Sequence, residues 1–283
     1  MTAKRFLFIA IASYYAGISC SGPSRNDFQE VAVQIKNNMP RDTVIDVNGR
    51  AVNIQYPHDA AATILCLPGW NFGRNDMCEK STFCTAATNK TFILVRPEMG
   101  KSIYASSIYP ETRKDWSSYP QLKFITDTLI PELQAKFSLL KPGQNNFLYG
   151  ISTGARGVAM IALHTGKLFK AGAALSGDYE QTRMPKDNLM KGYYGELDKF
   201  KERWQKDDPY LHAAEIKIPL YLAHGGSDKV VPTEQTKIFF KKLKEVSPAL
   251  KHELHIADSA GHNYDFWGKE TDEVLKFFFA HDK

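Results

Sequence analysis

The segment Phe147-Leu148-Tyr149-Gly150-Ile151-Ser152-Thr153-Gly154 constrains this chain more than any other stretch of it. An apolar run meets a serine with a glycine two positions before it and another two after, and helix-forming residues follow at once. That order describes a β-strand turning directly into an α-helix, with Ser152 at the apex. A side chain at such a turn occupies a costly backbone conformation, so its neighbours must be small, and Gly150 and Gly154 are. From Ala155 to His164 the residues favour helix, with Val158, Ile161 and Ala162 on one apolar face. The start of that helix favours negative charge beside Ser152. Ser152 is therefore the candidate nucleophile.

A serine hydroxyl is hardly ionised at neutral pH. It needs an imidazole to take its proton and a carboxylate to hold that imidazole in the right tautomer. Both follow downstream in order. Ile218 to His224 reads as a buried strand and Gly225-Gly226-Ser227-Asp228-Lys229 as the loop beyond it, which makes Asp228 the expected acid. Lys251 to Ala257 alternates as a strand, Asp258 to Gly261 turns, and His262 follows ahead of a carboxy-terminal helix, which makes His262 the expected base. Asp258 and Asp265 are alternative acids, but Asp258 lies four residues before the histidine and Asp265 has to fold back onto it. His224 is a competing base in the wrong order, ahead of the acid. Upstream, Ala62 to Leu67 reads as a central strand leading into Pro68-Gly69-Trp70. With this kind of turn, one oxyanion donor lies in the loop after the third strand and the other on the residue after the nucleophile. The backbone N–H groups of Trp70 and Thr153 are those candidates.

The coarse order of elements agrees. Strands are expected near Val31 to Ile35, Ala51 to Gln55, Ala62 to Leu67, Thr91 to Val95, Asn146 to Tyr149, Ala171 to Leu175, Pro219 to Ala223 and His252 to Ile256. Helices are expected near Met77 to Ala87, Gln121 to Phe137, Thr153 to His164, Thr233 to Glu245 and Asp272 to Ala280. Strands alternating with helices predict an α/β fold, a mostly parallel central sheet with helices on both faces. Ligands in such sheets bind beyond the carboxyl ends of the strands, where the turn at Ser152 and the loops of Asp228 and His262 fall.

From about Thr63 to Phe279 the chain resembles the alpha/beta-hydrolase fold. In detail it looks like the esterase group that includes S-formylglutathione hydrolase (esterase D) and feruloyl esterases. The matching segments are Gly150 to Gly154, Ala174-Leu175-Ser176-Gly177, Tyr193-Tyr194-Gly195, Arg203-Trp204 with Asp208-Pro209, His224 to Asp228, and the more distinctive Gly261-His262-Asn263-Tyr264-Asp265-Phe266-Trp267. Two positions depart from that group: Pro68-Gly69 stands where His-Gly is common, and Ala155 where a second glycine is common. The resemblance implies a serine carboxylesterase that needs no metal or cofactor. A serine peptidase of the same fold, and a non-catalytic surface binding protein on a hydrolase scaffold, are the two alternatives.

Residues 1–19 carry a separate message. Lys4-Arg5 precede the apolar run Phe6 to Ile18, too short to span a bilayer comfortably but suited to a signal-peptide core. Gly17-Ile18-Ser19-Cys20 resembles a relaxed bacterial lipobox, so Cys20 is the expected first mature residue and lipid-anchor site. Residues 20–283 are then one hydrolase domain, exported to the cell envelope, with the membrane met only through that anchor. The net charge of +5 includes Lys4 and Arg5, leaving about +3 after the leader, too little to point to nucleic acid. Cys66 is expected in the core. Cys78 and Cys84 lie in one expected helix, where a spacing of six is roughly 9 Å, so a bridge between them requires the helix to break. No His or Cys pair accompanies them, and zinc is not expected.

The long connection over about 178–216 carries Tyr179, Tyr193, Tyr194, Trp204 and Tyr210 and is expected to cap part of the cleft, with Tyr104, Tyr109, Trp116 and Tyr119 opposite. Tyr104, Trp116, Tyr179, Tyr264 and Trp267 are the candidate substrate contacts, since aromatic faces stack on sugars and phenolic acids. The expected substrate is a carboxylic ester, small or linked to a polysaccharide.

Overall fold

The computed structural model describes residues 42–116 and 121–282. The leader, Cys20, Tyr119 and the strand expected at Val31 to Ile35 lie outside the described residues. Eight strands form one sheet: β1 (Asp42–Val47), β2 (Arg50–Gln55), β3 (Ala62–Leu67), β4 (Phe92–Pro97), β5 (Asn146–Ile151), β6 (Ala171–Leu175), β7 (Leu220–Gly225) and β8 (Glu253–Ala257), in the order β1-β2-β4-β3-β5-β6-β7-β8. β1, β2 and β4 pair antiparallel, and every other pairing is parallel. β1 is an element that hydrophobic patterning misses, because this edge strand alternates between exposed and half-buried residues. The Asn48-Gly49 turn defines it, with φ of 52° and 79°, the positive pair that a tight two-residue hairpin requires.

β4, β5, β6 and β7 are buried at every position, as parallel strands covered on both faces must be. Side chains alternate between two cores. Leu148 faces helix α3 over 121–136, α4 (Thr153–Thr165) and α7 (Glu234–Val246), while Phe147, Tyr149 and Ile151 face α1 (Asp76–Lys80), α2 (Phe83–Asn89) and α9 (Thr271–Ala280). The connection between β6 and β7 contains α5 (Asn188–Tyr194) and α6 (Lys201–Lys206), whose Met190, Tyr193, Tyr194 and Trp204 form a third cluster with Ile103 and Trp116. A short helix α8 (Tyr264–Lys269) follows β8.

The helix expected from Met77 to Ala87 is two helices, and Cys78 and Cys84 are bridged across the break with their Cα atoms 5.0 Å apart. Ser81 makes the break. Its backbone is extended at φ −148° and ψ 170°, its hydroxyl donates to the Met77 carbonyl at 2.6 Å, and its oxygen accepts the Phe83 N–H at 3.3 Å. A serine hydroxyl that bonds neighbouring backbone groups offers the chain an alternative to the helical ladder. Closing so short a loop contributes about 2 kcal/mol by the chain-entropy relation, so Cys84→Ala should lower the unfolding free energy by about that amount in urea titration. An unchanged midpoint would show that Ser81 holds the break alone.

Candidate active site

β5 ends at the turn that the glycines make possible. Ser152 has φ 55° and ψ −126° and caps α4, and its amide donates to the Leu175 carbonyl at 2.9 Å. A Cβ at Gly150 would stand 2.1 Å from the Gly154 carbonyl oxygen, and one at Gly154 would stand 2.1 Å from the Leu67 carbonyl oxygen. No side chain fits at either place, so strand, turn and the end of β3 close on one another. Ser152 keeps a non-glycine residue in the left-handed region, a strain of roughly 1–3 kcal/mol of the kind concentrated at functional sites.

The loops after β7 and β8 bring two more side chains to that apex. His262 Nε2 lies 2.9 Å from Ser152 Oγ, and His262 Nδ1 lies 2.7 Å from Asp228 Oδ2. An ionised carboxylate only accepts, so Nδ1 carries the proton and the Nε2 lone pair faces the serine hydroxyl. Asp228 Oδ1 accepts the amides of Val230 and Val231 at 2.8 and 2.9 Å. Burial raises the Asp228 carboxyl, but the N–H groups of His224, His262 and Val231 outweigh it and hold the group well below the usual carboxylate range. Trp267 stands edge-on to the His262 ring, centroids 5.1 Å apart, and its indole N–H donates to Ser176 Oγ at 3.1 Å. Of the alternative acids, Asp258 is exposed and Asp265 pairs with Lys269 at 2.8 Å.

Thr153 follows Ser152 in the chain, and Trp70 follows Gly69, whose loop lies against Ser152. Neither amide takes part in a turn or loop hydrogen bond among the described residues, which leaves both N–H groups available. A Cβ on Gly69 would lie 3.0 Å from Ser152 Cβ, so the loop passes directly against the nucleophile. Among the described residues no group of three His, Cys, Asp or Glu side chains is placed to hold a metal ion.

The aromatic candidates divide by burial. Tyr104 and Tyr179 have no accessible surface and cannot touch a substrate. Tyr179 stacks on Phe239 of α7, centroids 4.3 Å apart. Tyr104, at φ 57°, packs its ring beside Gly157 and donates its hydroxyl to the Pro68 carbonyl at 2.8 Å, so it braces the loop that carries Trp70. Trp116 and Trp267 are also buried, Trp116 with its ring edge-on to Trp70 at 4.6 Å. Tyr264 remains partly exposed, as do Trp70 and Phe72, and Phe72 packs against Tyr264 and Trp267 at 5.7 and 6.1 Å. Phe72 escapes sequence reading because one phenylalanine in a loop carries no signal of what it faces. Its ring also lies over Gly69, where a Cβ would meet it at 2.8 Å.

Comparison with known proteins identifies the family and the fold. A sequence model of the family described as Putative esterase matches residues 51–278. No curated protein matches the chain. Among solved structures, an S-formylglutathione hydrolase from Agrobacterium tumefaciens superposes with a TM-score of 0.68 at 16% identity, covering 85% of this chain and 100% of that one. A fluorophosphonate-binding serine hydrolase of Staphylococcus aureus gives 0.67 at 16% identity, covering 84% and 99%. An acylaminoacyl peptidase from Pyrococcus horikoshii gives 0.64 at 17% identity, covering 89% of this chain but 43% of that one. At these identities the likeness to solved structures is one of fold.

Proposed function

The chain belongs to the Putative esterase family, and from that premise we propose that it is an exported serine esterase that hydrolyses carboxylic esters through an acyl-enzyme on Ser152. One observation carries this reading: the hydrogen-bonded chain from Ser152 Oγ through His262 to Asp228 at the apex of the strained turn. Ser152 Oγ attacks the ester carbonyl carbon while its proton passes to His262 Nε2. The carbonyl oxygen, now negative, lies toward the N–H groups of Trp70 and Thr153 at the start of α4. His262 gives the proton to the departing alkoxide, the C–O bond breaks, and the alcohol leaves. A water then repeats the attack with His262 again as base, the acid is released, and the serine is restored.

The partly exposed rings of Trp70, Phe72 and Tyr264 favour a flat or sugar-bearing ester, and acyl groups on carbohydrate are the substrates we propose. The Cys78–Cys84 bridge suits an oxidising compartment, which supports export along with the apolar segment after Lys4-Arg5. Membrane attachment is assigned to Cys20, and Cys20→Ala should move the protein from the membrane to the soluble fraction. Continued pelleting of that variant would remove the anchor from the proposal.

Turnover of acetyl, feruloyl and longer p-nitrophenyl esters, acetylated xylan and the matching anilides tests the reaction class. Ester turnover should exceed amide turnover by orders of magnitude. Comparable amide turnover would favour the peptidase reading that the Pyrococcus fold likeness raises. Acidification gives a second test. Asp228 is held ionised far below the working range, so the proposed mechanism contains one proton-accepting base, the imidazole that Asp228 holds. The acid limb of kcat/KM should fall with a slope of one, and a slope of two would place a second proton in the mechanism.

A further inference from the structure

His224 is a wholly buried histidine that the reaction steps leave unused. It stands beside the Asp228 carboxylate, as His262 does. Its Nε2 lies 3.2 Å from Asp228 Oδ2, the same oxygen that accepts from His262, and 3.1 Å from the Val231 carbonyl oxygen. Its Nδ1 lies 2.6 Å from Thr236 Oγ1 on α7, and Thr236 is also wholly buried. Both partners of Nε2 are acceptors, so Nε2 carries the hydrogen. In the neutral ring Nδ1 then accepts, and the Thr236 hydroxyl donates to it. Two amides sit on Oδ1, and Oδ2 takes the His262 N–H and a share of the His224 N–H, whose other acceptor is the Val231 carbonyl.

We propose that His224 is a positioning residue for the triad: Thr236 fixes its tautomer, and its Nε2–H shares Asp228 Oδ2 with His262, setting both the orientation of the carboxylate and the basicity that His262 receives from it. The sign follows from competition for one oxygen. A donor on Oδ2 draws electron density from the carboxylate and weakens its hold on the charged form of His262, so removing that donor makes His262 more basic. Lys229 and Asp258 of the adjoining loops are exposed, and Glu180 beside α7 pairs with Arg183 at 2.6 Å. The juxtaposition is encoded by the spacing of four between His224 and Asp228, which places strand end and loop acid back to back.

The kinetic arm of the test rests on the esterase reading, and the spectroscopic arm does not. In ¹⁵N-labelled protein, NMR should show a protonated Nε2 and a bare Nδ1 on His224. His224→Leu should move the His262 titration midpoint to higher pH, and His224→Gln, whose amide can still donate to Oδ2, should restore it. Thr236→Val, which leaves the ring in place, should shift the midpoint in the same direction by less, and Thr236→Ser should not. In hydrolysis, His224→Leu should lower kcat about 10- to 100-fold, the range for losing a partner of a functional ligand, with little change in KM and with the acid limb following the NMR midpoint. An unshifted His262 midpoint in both His224→Leu and Thr236→Val, or a protonated Nδ1 on His224, overturns the proposal. Shifted midpoints in a protein that hydrolyses no ester would instead overturn the esterase reading and leave the positioning role standing.

Discussion

Ser152→Ala should lower kcat for ester hydrolysis by between about 10⁴-fold and 10⁶-fold while the protein stays folded. The loss is large because, in the proposed reaction, the hydroxyl oxygen forms the bond to carbon and its proton is the one that His262 takes. Folding should survive, since only Oγ is removed and the His262–Asp228 contact at 2.7 Å does not depend on it. Ser152→Gly should be equally inactive, yet more stable by about 1 kcal/mol, because glycine relieves the strain of φ 55°. A Ser152→Ala variant with near-normal kcat and native circular dichroism would remove Ser152 from the chemistry.

The largest effect on stability should come from Arg156, one turn into α4. It is wholly buried, and its guanidinium donates to the carbonyls of Ile103 and Asp207 and to the Tyr194 hydroxyl, with Asp178 at 3.9 Å from Nε. Asp207 in turn accepts the Ser106 amide at 2.8 Å and the Tyr194 hydroxyl at 2.9 Å. One cation therefore ties the helix behind Ser152 to the connection after β6 and to the loop after β4. Burial raises the carboxyls of Asp178 and Asp208, the latter to about 6, and the Arg156 charge opposes both. Arg156→Leu leaves these acids without their cation. Removing one partner of a buried charge network costs about 3–5 kcal/mol, so Tm should fall by roughly 10 °C in thermal unfolding followed by near-UV circular dichroism. Arg156→Lys keeps the charge but loses the planar fork, and should fall between. A Tm within 2 °C of wild type for Arg156→Leu, about the shift of a mere 1 kcal/mol, would show that the cluster contributes little.

These residues differ in how visible they are in the sequence, for a physical reason. The turn at Ser152 and the parallel strands around it are legible because their constraints are local: glycines where no Cβ fits, apolar runs between turn residues, and an acid and a histidine each just beyond a strand. The aromatic residues are not, because a ring that braces a loop and a ring that lines a cleft have the same chemistry. Tyr104 and Tyr179 prove buried only once α4 and α7 pack over them. The Cys78–Cys84 bridge is hidden for another reason. Neither glycine nor proline marks the break, and Ser81 makes it through hydroxyl bonds that a helical pattern does not reveal. His224 is legible as a residue but not as a contact, since the order of the triad sets it aside as a base while the fold places it against Asp228.

The proposed covalent step at Ser152 can be tested directly. Acid quenching during turnover of a p-nitrophenyl ester, followed by mass analysis of the digested protein, should find one acyl group on the Ser152 side chain in the wild type and none in Ser152→Ala. Steady hydrolysis with the acyl group on another residue, or with no acylated protein at any quench time, would contradict an acyl-enzyme at Ser152.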